Sequence, residues 1–390
     1  MIKLDIHIFI IWEKARNKTD ILLEDIRKHF TIKEIYEVSW TKENFTKNLR
    51  RFYGTTLPNP DKKAEICGKG KFLVIIIEDK KQNIDWRKTS IGKQLVNTNV
   101  YDIKKVYRRL IGGQFPIHGS INNKETDHDL TLIFRKNLNE FQQTLPNEWN
   151  GEIKSFDQDL VGAEKWNDLN ELFYVLNTTT NYIVLRNFEG IPNQINLDMH
   201  NDIDILTDDK WQITHILNKQ ILKNSKGIPR PCIIVGDKKI SIDLRYVGDI
   251  YYDEKWAKKM LENKVRTKNG VNCPNIEDYF YSLLYHALIH KSKISPDYIT
   301  KLVELAKKNH IKDFSEDIFS QQKKLKKILD IFLQNHGYRY TDSLSYKIRH
   351  NELSRLADVA VKTSKHEGTG YLFRAIRGKI KKKFSGIKNE

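Results

Sequence analysis

The chain has 390 residues, of which 39% are hydrophobic and 30% are charged, and its formal net charge is +17. This length allows two or three domains with buried cores, and this composition excludes a chain that is disordered over most of its length. The surplus of basic residues favours anionic partners such as nucleotides, nucleic acid or an anionic membrane surface.

Cysteine usage and hydropathy indicate the compartment. The three cysteines are Cys67, Cys232 and Cys273. They lie far apart and match neither a zinc-binding spacing nor a disulfide framework. The apolar stretch 2–12 is interrupted by Asp5 and His7, so we interpret it as a strand and not as a signal peptide. No stretch is as long as a membrane-spanning helix. These features predict a cytoplasmic protein.

Residues 1–145 have the pattern of an α/β domain. Leu4, Ile6, Ile8 and Ile10 occupy alternate positions, which predicts a strand over 4–12. The other predicted elements are helices over 20–30 and 42–53, strands over 35–40 and 72–78, a polar loop over 79–100, and helices over 101–110 and 124–135. The strand 72–78 is an unbroken apolar run, which is typical of a strand buried on both faces.

The rest of the chain divides into three parts. Residues 146–164 contain Asn147, Asn150 and Gly151 and predict a linker. Residues 165–274 predict a second α/β domain, with helices over 169–177 and 210–223 and strands over 182–187, 202–206, 231–236 and 239–246. Residues 275–390 have a helical pattern, and Asn275 is placed to cap its first helix, which is predicted to run to Lys291.

The C-terminal segment 374–383 is strongly basic and carries an apolar stripe. Such a segment is most often a solvated helix, and its apolar stripe makes contact with an anionic membrane surface or with nucleic acid the alternative. A peripheral position at the membrane is therefore the alternative to a purely cytoplasmic one.

Three aspartates on two predicted strands are the strongest functional signal. Asp202 and Asp204 are separated by one apolar residue, so both point to the same face of a strand. On the later strand Asp243 shares the polar face with Ser241 and Arg245. Three carboxylates from neighbouring strands can hold two divalent cations such as Mg²⁺, as nucleotidyl transfer requires. The alternative is that these acids are solvated strand ends.

The segment 182–246 resembles the nucleotidyltransferase fold of the DNA polymerase β superfamily. In that family one strand carries Asp-x-Asp and a later strand carries a third acid. The resemblance implies that Asp202 and Asp204 bind metal, and that Asp243 is a metal ligand or the base that activates the attacking hydroxyl.

One position differs from that family. Where the family has a Gly-Ser pair that holds the triphosphate, this sequence has Leu185-Arg186-Asn187. Asn187 is a polar replacement for the serine, and Arg186 can hold a phosphate with two hydrogen bonds. Arg186 or Arg245 would then offset the negative charge that develops during transfer.

A second signal is His118, which begins the sequence His-Gly-Ser shortly before a predicted helix. This segment is similar to the active-site segment of nucleoside diphosphate kinases, and the resemblance implies a ferredoxin-like fold for residues 1–145. It also implies that His118 takes a phosphoryl group from one nucleotide and gives it to another. Such chemistry needs a neutral imidazole among cationic donors.

Several other residues carry the same resemblance. Lys14 follows the first strand, where the kinase family has a phosphate-binding lysine, and Arg108 and Arg109 precede the histidine as its phosphate-binding arginines do. Tyr53 lies where that family has an aromatic residue near the phosphates. The alternatives are that His118 is a loop histidine with local hydrogen bonds, and that the domain binds nucleotide or has a purely structural role.

His286 and His290 are spaced four residues apart, as zinc ligands on one helix face can be. No acid or cysteine completes a site in the neighbouring sequence, and the flanking Tyr285 and Leu288 favour a packed helix. We therefore interpret both histidines as structural.

Together these patterns predict a magnesium-dependent nucleotidyltransferase that moves a nucleotidyl group from an NTP to a hydroxyl acceptor. The arrangement is also similar to bacterial proteins associated with surface-polysaccharide synthesis, which implies a sugar or glycan acceptor. The alternatives are a phosphotransferase with His118 as the phosphorylated intermediate, and a non-catalytic protein that binds a nucleotide or a partner.

Overall fold

The computed structural model describes residues 4–113, 116–193, 202–223, 229–291 and 294–341. The basic segment 374–383 lies outside the described residues. The described part is built of helices and strands from end to end, which confirms the α/β class. None of its helices has the length and apolar character that crossing a bilayer requires.

The first half of the chain is built on a five-stranded sheet. The sheet contains β1 (Ile6–Ile11), β2 (Thr31–Val38), β3 (Phe72–Glu78), β6 (Ile117–Gly119) and β7 (Ile153–Phe156), and a separate hairpin contains β4 (Ile84–Thr89) and β5 (Gly92–Asn97). The helices of this half are α1 (Thr19–His29), α2 (Phe45–Tyr53), α3 (Pro60–Cys67), α4 (Thr98–Leu110), α5 (Asn123–Phe134) and α6 (Leu138–Thr144). The sheet order is β6-β1-β3-β2-β7, and neighbouring strands are antiparallel except β2 and β7, which are parallel.

The neighbouring strands β1 and β3 are apolar except for His7 and Glu78, because each face of this sheet is covered by its own core. Along β1, Ile8 and Ile10 belong to one buried cluster, whereas Phe9 and Ile11 belong to the other. Side chains alternate between the two faces of a strand, so a strand with a core on both sides has no polar face. The prediction that 72–78 is buried on both faces is confirmed, since every residue of β3 is buried.

Two segments of the first half differ from what the sequence predicts. The predicted polar loop 79–100 is wrong, because β4 and β5 pair there as an antiparallel hairpin and α4 begins at Thr98. The hairpin was missed because most of its side chains are exposed, so it lacks a clear apolar alternation. The predicted linker, 146–164, is partly structured. Its residues 153–156 form β7 at the edge of the sheet, and its residues Leu160 and Val161 are buried.

The second sheet holds the three predicted acids. Its elements are α7 (Leu169–Thr179), β8 (Tyr182–Val184), β9 (Asp202–Thr207), α8 (Lys210–Ile216), β10 (Gln220–Lys223), β11 (Pro229–Val235) and β12 (Lys238–Tyr246). The strand order is β10-β11-β12-β9-β8, and β9 and β12 are parallel neighbours. Their register places Asp204 opposite Asp243 and Ile203 opposite Ile242. Acids of both strands therefore share one face, while isoleucines share the face that is buried in the core.

The predicted helix 210–223 is wrong in its second half. Helix α8 ends at Ile216, and the chain then turns through Asn218, which has a positive φ of 51°, before β10 begins at Gln220. Asparagine accepts this left-handed conformation more readily than most residues. The Asn218 amide also donates to the carbonyl oxygens of Gly162 and Ala163, which fixes the turn.

The C-terminal part of the described chain is mostly helical, as predicted. After α9 (Glu254–Glu262) and the short strands β13 (Val265–Arg266) and β14 (Asn272–Cys273) come α10 (Ile276–Tyr285), α11 (Pro296–Lys308) and α12 (Gln322–His336). Asn275 caps α10, since its side chain accepts a hydrogen bond from the backbone N–H of Asp278. A π-helical turn, His286–His290, follows α10 directly.

One apolar core runs through all three parts of the described chain. A single cluster of buried side chains contains Ile8 of the first sheet, Ile205 of the second sheet and Leu329 of α12. Arg51 of α2 reinforces this contact, because its guanidinium donates to the carbonyl oxygens of Val161 and Ile216. The three parts are therefore packed on one another over apolar surface.

Candidate functional site

The acids of β9 and β12 line a cavity of about 420 Å³ at the junction of the second sheet with the C-terminal helices. Its lining residues are Arg186, Asn187, Asp202, Asp204, Asp243, Arg245, Tyr251, His286, His290, Lys291 and Tyr298. Six of these are residues that the sequence assigns to the metal or phosphate site. The structure thus brings together in one cavity all the predicted residues of this site.

Arg186 reaches the acids because the chain after β8 stays beside β9. The backbone N–H of Leu185 donates to the carbonyl oxygen of Asp204 at 2.8 Å, and the next residue extends its side chain over the same strand. The Arg186 Nη2 donates to Oδ1 of Asp204, and each side chain is 6% exposed. Asn187 then turns away with a positive φ of 56°, a conformation that asparagine tolerates.

The buried pair of Arg186 and Asp204 determines the charge on both of these side chains. Burial, opposed by the attraction of Arg186 and assisted by the carboxylates of Asp202 and Asp243, raises the pKa of Asp204 to about 7. Burial lowers the pKa of Arg186, but Asp204 together with the neighbouring Tyr251, Tyr252 and Tyr298 raises it by more, so the net pKa is raised and the guanidinium stays charged. Arg186, which the sequence suggests as a phosphate ligand, is engaged with an acid of the site.

A second pair lies closer to solvent. Arg245 Nη2 is 3.0 Å from Asp243 Oδ2, with the two side chains 33% and 34% exposed. The guanidinium carbon also lies 4.1 Å from the centroid of the Tyr251 ring, a cation–π contact. Exposed pairs of this kind are weak, so Arg245 can exchange its partner at lower cost than Arg186 can.

Two histidines, which the sequence pattern assigns to a packed helix, complete the wall of the cavity. The π-helical turn places both His286 and His290 at the cavity, and Tyr251 lies between them and Arg245. The Tyr251 hydroxyl is 2.6 Å from His286 Nδ1, and its ring stacks on His290 at 3.8 Å. Single π-helical turns are rare and occur often at functional sites.

Both histidines are neutral and incompletely bonded. Burial, followed by the charge of Arg186, holds the pKa of His286 far below its usual value, and burial and Arg245 lower the pKa of His290 to about 3. Within the described part of the chain, His286 Nε2 and His290 Nδ1 are buried without a hydrogen-bond partner. Such atoms in a cavity wall are suited to bonding a ligand.

The acids of this cavity fit Mg²⁺ by their chemistry. Carboxylate oxygens are the ligands that Mg²⁺ prefers. Arg186 bonds only Oδ1 of Asp204 and Arg245 bonds only Oδ2 of Asp243, so the arginines engage one oxygen of each carboxylate. Among the described residues, however, these three acids do not bring one oxygen each within 4.8 Å of one another. Binding one cation to all three would therefore require rotation of their side chains.

His118 lies in β6 and is enclosed by α2 and α5. Its Nε2 is 2.8 Å from Asp129 Oδ2 and 3.9 Å from Glu125 Oε1, and the rings of Phe52 and Tyr53 contact it edge-on. Burial lowers the pKa of His118 although Asp129 opposes this, and burial raises the pKa of Asp129 to about 6. Of the described residues, His118, Glu125 and Asp129 form the group whose ligand atoms lie close enough to hold one metal ion.

The cations predicted around His118 are only partly assembled there. The charges of Lys104 and Arg108 both lower the pKa of His118, so both side chains lie near it. Lys104 is not among the cations that the sequence predicts for this site. Lys104 is buried and donates to the carbonyl oxygen of Gly119. Lys14 and Arg109 are exposed, and neither makes a hydrogen bond or ion pair with His118 in the part of the chain described.

No protein-family model matches this chain, and comparison with characterised proteins and with solved structures finds no match either. The chemistry must therefore be judged from the two sites themselves. The cavity between β9, β12 and the π-helical turn combines three carboxylates with cationic groups and neutral donors. The His118 site combines one oriented imidazole with the buried Lys104 and the partly buried Arg108. Both arrangements suit a phosphorylated ligand.

Proposed function

We propose that the cavity between β9 and β12 is the active site of a magnesium-dependent nucleotidyltransferase. The observation that carries the proposal is the register of the two parallel strands, which sets Asp204 opposite Asp243 on the face that lines the cavity. Asp202 begins the same strand on that face. This is the arrangement that the resemblance to the DNA polymerase β superfamily implies.

Each group of the cavity has a role in this proposal. Asp202, Asp204 and Asp243 hold Mg²⁺, which when bound supplies Lewis-acid stabilisation of the phosphates. Asp243 accepts the proton of the acceptor hydroxyl through the oxygen that does not face Arg245. The hydroxyl oxygen forms a bond to the α-phosphorus of the NTP, and the bond from that phosphorus to the pyrophosphate leaving group breaks. Arg245, the more exposed of the two arginines, stabilises the developing negative charge.

We propose that the acceptor is a hydroxyl of a sugar or glycan precursor. This choice rests on the similarity to bacterial proteins associated with surface-polysaccharide synthesis. Tyr298 also lines the cavity and offers an aromatic side chain against which a sugar or a base can lie. The antiparallel order β6-β1-β3-β2 supports a ferredoxin-like, kinase-related first domain, because β3 lies between β1 and β2 as in a split β-α-β unit.

The test is release of pyrophosphate from each NTP in the presence of Mg²⁺ and candidate acceptors. We expect Asp204→Asn and Asp243→Asn to lower the rate by about a hundredfold or more. Asp237→Asn is the matched control, since Asp237 is a fully exposed acid in the turn between β11 and β12. A wild-type chain that binds no Mg-nucleotide would refute the proposal. Binding without any release of pyrophosphate would favour the non-catalytic alternative.

A second candidate function is phosphoryl transfer through His118. It is favoured by the hydrogen bond from His118 Nε2 to Asp129, which orients the ring and leaves Nδ1 as the nucleophile. Nδ1 would form a bond to the terminal phosphorus of a nucleoside triphosphate, and the bond from that phosphorus to the nucleoside diphosphate leaving group would break. A second nucleoside diphosphate would then take the phosphoryl group from the histidine. Radiolabelled ATP should give an acid-labile label that is absent in His118→Asn and retained in the exposed-site control His29→Asn.

A further inference from the structure

The hairpin of β4 and β5 projects from the first sheet and has two different faces. The opposed pair Asp85 and Val96 lies on the face toward the body of the protein, since Val96 is fully buried. The opposed pair Trp86 and Leu95 lies on the other face, and both side chains are about half exposed. Alternation along the strands places Ile84 on this outer face as well.

The outer face carries several exposed apolar side chains that are close to one another along the hairpin. Ile84, Trp86, Ile91 and Leu95 are between 47% and 61% exposed, and Ile91 lies in the turn at the tip of the hairpin. Single exposed apolar residues are ordinary, but neighbouring ones on a projecting hairpin mark a contact surface.

The same face carries an arrangement of charges that is unfavourable in the isolated protein. Lys88 lies directly opposite Lys93, and like charges at such positions destabilise a strand pair. Lys93 Nζ lies 5.6 Å from the centroid of the Trp86 ring. The segment 80–93 contains five basic residues and one acid. An anionic group bound between the two lysines would relieve the repulsion.

We propose that this face of the β4–β5 hairpin docks on an anionic phospholipid surface. Trp86 and the three aliphatic side chains would enter the interfacial layer, while Lys88 and Lys93 pair with lipid phosphates. The proposal does not depend on the proposed transferase activity.

Two other occupants fit the face less well. A second copy of the chain would bring Lys88 and Lys93 against the same pair of lysines. A single nucleic-acid strand is bound by stacking of bases on aromatic rings, and here three of the four apolar side chains are aliphatic. The combination of aliphatic side chains, one tryptophan and paired lysines matches the interfacial region of a bilayer.

The experiment is co-sedimentation of the full chain with phosphatidylcholine vesicles and with mixed phosphatidylcholine–phosphatidylglycerol vesicles. We expect binding to the mixed vesicles that weakens with added salt. Trp86→Ala, and the double variant Lys88→Glu/Lys93→Glu, should each lower the partition coefficient about tenfold or more.

The matched control is Trp211→Ala, because Trp211 is also an exposed tryptophan beside a lysine but lies on α8. The hairpin substitutions are at exposed positions, and unchanged thermal unfolding midpoints would confirm folding. Equal partition of wild type, Trp86→Ala and Trp211→Ala would overturn the proposal, as would equal binding to both kinds of vesicle. Loss of oligonucleotide binding in Trp86→Ala, with unchanged vesicle binding, would assign the face to nucleic acid instead.

Discussion

Replacing Arg186 by methionine removes the guanidinium that pairs with Asp204 and leaves an unbranched apolar side chain in its place. Both side chains of the pair are 6% exposed, so the carboxylate would remain buried beside Asp202 and Asp243 without its partner. Removing one member of a buried ion pair costs about 3–5 kcal/mol. We expect the lower end, about 3 kcal/mol, because the pKa of Asp204 is already raised to about 7 and its protonation limits the cost.

The same variant tests whether the acids bind Mg²⁺. A cation that binds only the folded chain stabilises it by about 2.7 kcal/mol when its concentration is a hundred times the dissociation constant. Without Arg186, Asp204 is free to turn toward the cation, so Mg²⁺ should restore more stability to Arg186→Met than to the wild type. The measurement is urea unfolding at pH 8 with Mg²⁺ and with EDTA.

The control is Lys258→Met, which breaks the exposed pair with Glu254 on α9 and should cost below about 1 kcal/mol. A cost below about 1 kcal/mol for Arg186→Met would refute the view that the pair is electrostatically buried. If Mg²⁺ changes the unfolding midpoint of neither the wild type nor the variant, the acids do not form a magnesium site.

Three further predictions concern other groups. Burial lowers the pKa of Lys104 to about 8 from 10.5, so between these pH values the folded chain binds fewer protons than the unfolded chain and stability rises with pH. Urea titrations should show a rise of about 3 kcal/mol across this window that Lys104→Met abolishes, and an equal rise in the variant would contradict the burial of that amine. Asp129→Asn should lower acid-labile phosphate labelling of His118 about tenfold or more, because a neutral amide that can donate as well as accept no longer fixes the tautomer of the ring; unchanged labelling would show that Asp129 does not orient the ring. His286→Leu should raise the KM for NTP about tenfold while His286→Gln, whose amide can donate near the position of Nε2, stays near wild type; equal effects of the two would exclude a hydrogen bond to the ligand.

Local sequence pattern predicted the parts of the fold whose burial is simple. The alternation in β1 and the unbroken apolar run of β3 located the centre of the first sheet. The reason is that the order of apolar side chains along a strand follows directly from which of its faces are buried. Asp202, Asp204 and Asp243 could be assigned to one face for the same reason. Their meeting in one cavity needed the parallel pairing of β9 and β12, which the spacing allowed but did not require.

The parts that were missed depend on contacts between distant segments. The β4–β5 hairpin has exposed side chains on both strands, so its pattern resembles a loop. His286 and His290 were interpreted as packed in a regular helix, whereas a π-helical turn directs them to the cavity wall. Arg186 was expected to hold phosphate, and its pairing with Asp204 could not be inferred because it arises from the backbone contact between Leu185 and β9.

The parallel register of β9 and β12 also protects the site against misfolding. A slip of one residue would exchange the two faces of a strand, so the isoleucines that fill the core would be replaced there by aspartates. Burying unpaired carboxylates in an apolar core costs several kcal/mol, which makes the slipped pairing unstable. The burial of the isoleucines therefore also fixes the face on which the acids lie, and folding of this sheet places all three acids toward the cavity.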